Sequence, residues 1–191
     1  MKNLFLIIGA PGSGKTTDAK IVAEQNKNIA HYSTGELLRA EVASGSELGK
    51  VIDKCISAGE LVPVEVALDT IVKAINSSTC KTVIIDGYPR SIEQMKGLDE
   101  VLKNEIDISL KSVIEIVVSQ KTAMSRVLGR SRGADDKIEV FKNRMNVYTK
   151  PLKEIEEFYA LKKILHKIDG EKDIESIVKE IEEHICVLTQ N

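Results

Sequence analysis

Cysteine is scarce and unpatterned: Cys55, Cys80 and Cys186 are the only three in 191 residues, scattered and odd in number. That excludes a disulfide framework and a cysteine-built zinc site, and it suits a reducing compartment. No long apolar run is present. The N-terminal stretch 4–8 has five residues and passes into a glycine-rich turn, so it is neither a signal peptide nor a membrane span. The expected compartment is the cytoplasm. A dominant charge is lacking too, since 27 Lys+Arg against 29 Asp+Glu leave −2. Nothing then draws the chain to nucleic acid or an anionic membrane, and any anion site must be local. His31, His166 and His184 show no ligand spacing and are expected to be structural or exposed. There is no internal repeat, low-complexity tract or Pro/Gly-rich linker. What remains, 42% hydrophobic and 29% charged residues, is an ordinary globular chain able to bury one core.

Residues 3–8 (NLFLII) read as an apolar strand buried on both faces, as a parallel strand would be. Further strands are expected at 81–85, 111–118 and 163–168. Helices are expected at 15–25, 34–43, 47–58, 63–75, 91–103 with Ser91 as cap, and 120–128 behind Ser119. Another starts at Asp135 or Asp136 and runs to Tyr148, and Pro151 opens the next, at a position where proline is permitted. A last helix covers 173–186, with Ile174, Ile177, Val178, Ile181 and Ile185 at core spacing. Strands alternating with helices give an α/β fold, a mostly parallel sheet with helices on both faces. The region 33–62 holds several helices before the next strand, more than a crossover needs. It reads as an insertion packing as a small unit.

Residues 9–16 (GAPGSGKT) satisfy G-x-x-x-x-G-K-[ST] after a strand and before a helix. The glycines let the backbone wrap a phosphate, the helix start offers unpaired N–H groups, and Lys15 reaches the outer phosphates. Thr16 can reach a magnesium ion. Arginine usage is the next clue. There are only six, Arg39, Arg90, Arg126, Arg130, Arg132 and Arg144, and their planar forks suit phosphate where lysine offers a point charge. Three crowd into 126–132, while Arg90 follows a strand end, where α/β sheets place ligands. Asp86 also ends a strand. It either organises magnesium and its waters or caps the Asp-Gly turn.

Together these motifs resemble the adenylate kinases of the nucleoside-monophosphate kinase family over nearly the whole chain. Residues 9–17 (GAPGSGKTT) are similar to its phosphate loop, and 31–39 (HYSTGELLR) to the start of its monophosphate-binding insertion. Residues 86–90 (DGYPR) with Gln94 resemble its second signature. Arg126-x-x-x-Arg130 and Asp135-Asp136 with Arg144 resemble the flanks of its lid. The resemblance implies a P-loop three-layer sandwich with a five-stranded parallel sheet. Its core would be 1–32, 63–128 and 136–191, with a monophosphate-binding subdomain at 33–62 and a short lid at 129–135. It also implies the reaction ATP + AMP ⇌ 2 ADP with Mg2+, no zinc, and a monomer. Gly12, Ser13, Gly14, Lys15, Thr16 and Thr17 would hold the ATP phosphates. Thr34, Arg39, Glu60, Leu61, Val62, Gly87, Tyr88, Pro89, Arg90 and Gln94 would hold AMP. Arg130 would contact ATP, Arg132 and Arg144 would clamp phosphates, and Lys172 lies where the family's backbone touches the adenine. Lys15, Arg90, Arg126, Arg130, Arg132 and Arg144 would supply the catalytic charge.

Three positions depart from the family pattern. Thr16 stands where glycine is usual, so either Thr16 or Thr17 could face magnesium. Two residues separate Arg132 from Asp135 where one is usual. The lid is too short for the β-rich insertion of some relatives. A UMP/CMP kinase shares the short lid, but such enzymes resemble Ser-Ala-Gly rather than Ser33-Thr34-Gly35 and tend to carry Asn at the place of Gln94. A non-catalytic nucleotide switch would need a guanine-reading element, and residues 166–169 (HKID) carry His where that element requires Asn.

Overall fold

In the computed structural model, which describes residues 1–104, 107–129 and 137–190, the sheet order is β2-β3-β1-β4-β5, every neighbouring pair parallel. The strands are β1 (Lys2–Gly9), β2 (Ile29–Ser33), β3 (Thr82–Asp86), β4 (Ile108–Val117) and β5 (Leu165–Asp169). The helices are α1 (Lys15–Gln25), α2 (Thr34–Ala43), α3 (Glu47–Ala58), α4 (Val64–Ser77), α5 (Ile92–Asn104), α6 (Gln120–Leu128), α7 (Ile138–Leu161) and α8 (Ile174–Thr189). The strand order reverses at β1, which opens a crevice at the carboxyl ends of the strands.

Alternation along β1 sorts the core into two layers. Leu4, Leu6 and Ile8 face Ile71 and Ile75 of α4, Met95 and Leu98 of α5, and Ile155 and Tyr159 of α7. Phe5 and Ile7 face Ala19 and Val22 of α1 and Ile177, Val178, Ile181 and Ile185 of α8. Each of these side chains is at most 4% exposed, and full burial of one such residue contributes about 1.5–3 kcal/mol. The caps are where the local chemistry asks for them. Ser119 Oγ accepts from the Thr122 N–H (3.1 Å), Asp173 Oδ1 from Ser176 (2.9 Å), and Ser91 Oγ from Gln94 (3.1 Å).

Two expectations fail and one strand goes unread. The strand β2 escapes the apolar pattern because it is an edge: Ile29 to Tyr32 are all half-buried, and His31 and Tyr32 interrupt any apolar run. Pro151 starts no helix but sits inside α7, which runs unbroken from Ile138 to Leu161. An interior proline costs a helix about 3 kcal/mol. Burial of Phe141, Ile155 and Tyr159 on either side offsets that. The expected start of this helix at Asp135 or Asp136 lies outside the described residues, and α7 is preceded by Lys137. Ile174 is 53% exposed, not core, since it opens α8 beside a shallow groove shared with Ile21 and Gln25.

Candidate active site

The loop between β1 and α1 is dictated by glycine. At Gly12 φ is +86°, and a Cβ there would lie 2.3 Å from the Ala123 carbonyl oxygen, so no other residue fits without moving α6. Lys15 Nζ donates to the Ala10 carbonyl (3.2 Å), folding the side chain over the loop. No side chain caps the start of α1, which leaves its N–H groups directed at the loop's hollow.

Register brings three strand ends together, with Asp86 opposite Ile7 of β1 and opposite Ser33 of β2. The Asp86 carboxylate, 1% exposed, gathers donors from both sides. Thr16 Oγ1 donates to Oδ1 (2.9 Å), Ser33 Oγ to the same oxygen (3.5 Å), and His31 Nε2 to Oδ2 (2.6 Å). Burial alone would raise this carboxyl. The His31 hydrogen bond, the Lys15 charge and the Thr16 hydroxyl instead hold it below the usual carboxylate range. Asp18, in the first turn of α1, is the opposite case. Burial pushes it up to about 6 against the pull of Arg126 and Lys15.

The segment after β3 is held from within. Arg90 Nε donates to the Gly87 carbonyl (2.8 Å), and the Arg90 N–H donates to Gln94 Oε1 (2.8 Å). The Tyr88 hydroxyl donates to the Gln94 carbonyl (2.7 Å), and Tyr88 is wholly buried. Gln94 Oε1 thus keeps one lone pair, and its amide group two donors.

A single cleft collects most of the residues singled out from sequence: Gly12, Lys15, Thr16, Thr34, Arg39, Glu60, Leu61, Val62, Asp86, Gly87, Pro89, Arg90, Gln94 and Arg144. Thr34 Oγ1 is buried with no hydrogen-bond partner among the described residues. Ser13, Gly14, Thr17 and Tyr88 are not part of this wall: Ser13 and Tyr88 are buried behind it, and Thr17 is exposed. Arg126 is also off the cleft wall. Its Nη1 donates to the Ser13 carbonyl (3.0 Å) and its Nη2 to Gly170 (3.1 Å), stapling the phosphate loop to the turn after β5. Lys172 Nζ is bonded to Glu180 (2.8 Å). Arg130, Arg132 and the lid expected at 129–135, Gly129 apart, lie outside the described residues.

Sequence reasoning missed Leu38, Ile56, Val147 and Tyr148 on the cleft wall. Tyr148 carried a signal, since it follows Arg144 by one helical turn and shares its face. The buried bond from His31 to Asp86 spans 55 positions and left no local trace.

Comparison with known proteins agrees with this geometry. A family model described as adenylate kinase matches residues 7–164. The adenylate kinase of Campylobacter lari is 62% identical over 181 residues, covering 95% of each chain. That of Wolinella succinogenes is 63% identical over 183 residues, covering 95% of this chain and 96% of its own. That of Campylobacter concisus is 60% identical over 188 residues, covering 98% and 100%. A phosphate loop, a cleft lined by three arginines and full-length relatives of one name converge: this chain belongs to the adenylate kinase family and is a phosphotransferase.

Proposed function

We propose that the cleft holds two nucleotides at once and that phosphoryl transfer runs directly between them, ATP + AMP ⇌ 2 ADP. The observation that carries this reading is the second set of polar groups across from the phosphate loop. Thr34, Arg39, Arg90 and Gln94 share the cleft with Lys15, and the Thr34 hydroxyl is buried without a partner among the described residues. A one-nucleotide switch has no use for that second set. In this reading Gly12 to Thr17 carry the ATP phosphates. Thr34, Arg39, residues 60–62, Gly87 to Arg90 and Gln94 carry AMP.

The acceptor is already an anion, so no general base is required and the work of the protein is alignment and charge neutralisation. Lys15, Arg90 and Arg144 supply that charge at the cleft wall. Arg126 acts at one remove by fixing the loop, and Arg130 and Arg132 keep the roles the resemblance gives them. Thr16 and Asp86 suit magnesium bound through its waters, because both are hard oxygen donors beside Lys15 and both Asp86 oxygens already hold protein donors. Bound with ATP, that ion neutralises the outer phosphates. Residues 33–62 form the subdomain that closes over AMP, in a monomer working in the cytoplasm.

The test is ADP formation by the purified protein with magnesium-ATP and AMP, UMP, CMP, GMP or water as acceptor. Fast product with AMP and little with water is expected. Preference for UMP or CMP would overturn the roles of Thr34 and Gln94, and slow hydrolysis with no acceptor effect would overturn the two-site reading.

A further inference from the structure

Tyr148 lines the cleft one turn beyond Arg144, but its hydroxyl is committed to a buried partner, donating to Glu115 Oε1 at 3.0 Å. Glu115 is an anomaly. It is 2% exposed on β4, in a run where Val113, Ile114 and Ile116 are apolar and wholly buried. The Lys167 ammonium lies 3.1 Å from Glu115 Oε2 and 2.7 Å from Glu156 Oε2. Glu115 is buried while the Lys167 side chain is 47% exposed, and taking a carboxylate out of water for such a partner commonly stabilises a fold no better than an apolar side chain of equal volume. The acid at 115 therefore calls for a reason other than stability.

Helix α7 supplies one. It meets this network twice, at Tyr148 and, two turns later, at Glu156. Between them lies Pro151, which has no N–H to give to the Val147 carbonyl. The tie to the sheet thus falls where the helix's own hydrogen bonding is interrupted. Residues four apart share a helix face, so fixing the Tyr148 hydroxyl fixes the direction of Arg144.

We infer that Tyr148 is a positioning residue for the phosphoryl-transfer reaction: Glu115, held by Lys167, anchors its hydroxyl and so sets the rotation of α7 that keeps Arg144 aimed into the cleft. The inference rests on the proposed contact of Arg144 with phosphate. Positioning of this kind acts on transfer more than on binding, because small misplacements of a charge cost rate steeply.

The experiment is steady-state kinetics on Tyr148→Phe, Arg144→Ala and the double variant, with thermal unfolding of each. Tyr148→Phe is expected to lower kcat about tenfold with KM for both nucleotides within about threefold of wild type, and Arg144→Ala about a thousandfold. The double variant should be no slower than Arg144→Ala alone, because the anchor has nothing left to position. Multiplying losses, or wild-type kcat in Tyr148→Phe, would overturn the inference while the Arg144 contact stands. Wild-type turnover in Arg144→Ala would instead overturn that contact, and the inference with it. A second pair guards against a folding defect. Glu115→Gln keeps an oxygen acceptor for the hydroxyl and should retain more kcat than Glu115→Leu, and equal kcat in the two would count against the anchor.

Discussion

On the strand side of the cleft, backbone geometry and largely buried hydrogen bonds fix the groups that face the cleft. Gly12 admits no side chain, Asp86 is held by Thr16, Ser33 and His31, and Arg90 is clasped to Gly87 and Gln94. Across the cleft, α2 and α3 are attached differently. Leu38 and Ile52 plug into the core, and Asn143 Nδ2 donates to the Ala58 carbonyl (3.1 Å), while Leu48 and Val51 stand exposed at 44% and 47%. Apolar contacts are not directional and survive sliding, whereas a clasped guanidinium or a wrapped loop does not. One wall is held rigidly around its charged groups, and the other is attached by contacts that tolerate sliding, as the proposed closure over AMP requires.

The largest expected effect falls on the fixed wall. Arg90→Ala should lower kcat about a thousandfold, in line with the worth of a phosphate-facing arginine, with secondary structure by circular dichroism unchanged. Near-normal turnover would mean that the clasp on Gly87 is structural and the charge of Arg90 idle.

Next is a pair of matched glycine substitutions. Gly12 and Gly45 both have positive φ, +86° and +73°, but a Cβ at Gly45 meets nothing within 4 Å. Gly12→Ala should therefore cost about 3 kcal/mol or more, combining strain with a clash, and Gly45→Ala only about 1–2 kcal/mol of strain. Urea denaturation of both variants measures the difference, and equal costs would erase the contrast between the walls.

The fixed wall also carries a burden that pH can expose. Asp18 is raised from 3.8 to about 6, so between those values the folded protein holds its proton more tightly than the unfolded chain. Stability should fall as pH rises through that window, and at neutral pH the group costs up to about 3 kcal/mol. Asp18→Asn should be more stable than wild type at pH 8, by about 1–3 kcal/mol, and gain nothing at pH 4. Denaturation at the two pH values distinguishes this from a pH-independent gain.

The smallest effect belongs to the looser wall. Asn143→Ala removes one hydrogen bond to α3, worth about 1 kcal/mol, and should shift KM for AMP a few-fold with KM for ATP unchanged. Equal shifts in both would argue that residues 33–62 do not move as a unit.

Legibility followed the same division. The phosphate loop was readable because its physics is local: glycines at fixed spacing, a lysine, and a helix start within eight residues. The helices of the insertion were readable from their periodicity, and α2 and α3 fall at the expected residues. What escaped depends on tertiary context. The strand β2 is recognisable only once β3 is beside it. Proline inside α7 obeys burial rather than propensity. The donors on Asp86 and the bond from Tyr148 to Glu115 join residues 33 or more positions apart.

The central claim is that the fixed and the movable wall serve two nucleotides bound together. Calorimetric titration with AMP and with a non-hydrolysable ATP analogue, alone and in sequence with magnesium, tests it most directly. One site for each ligand per chain is predicted, with AMP binding undiminished once the analogue is bound. Mutual displacement from one shared site would contradict it.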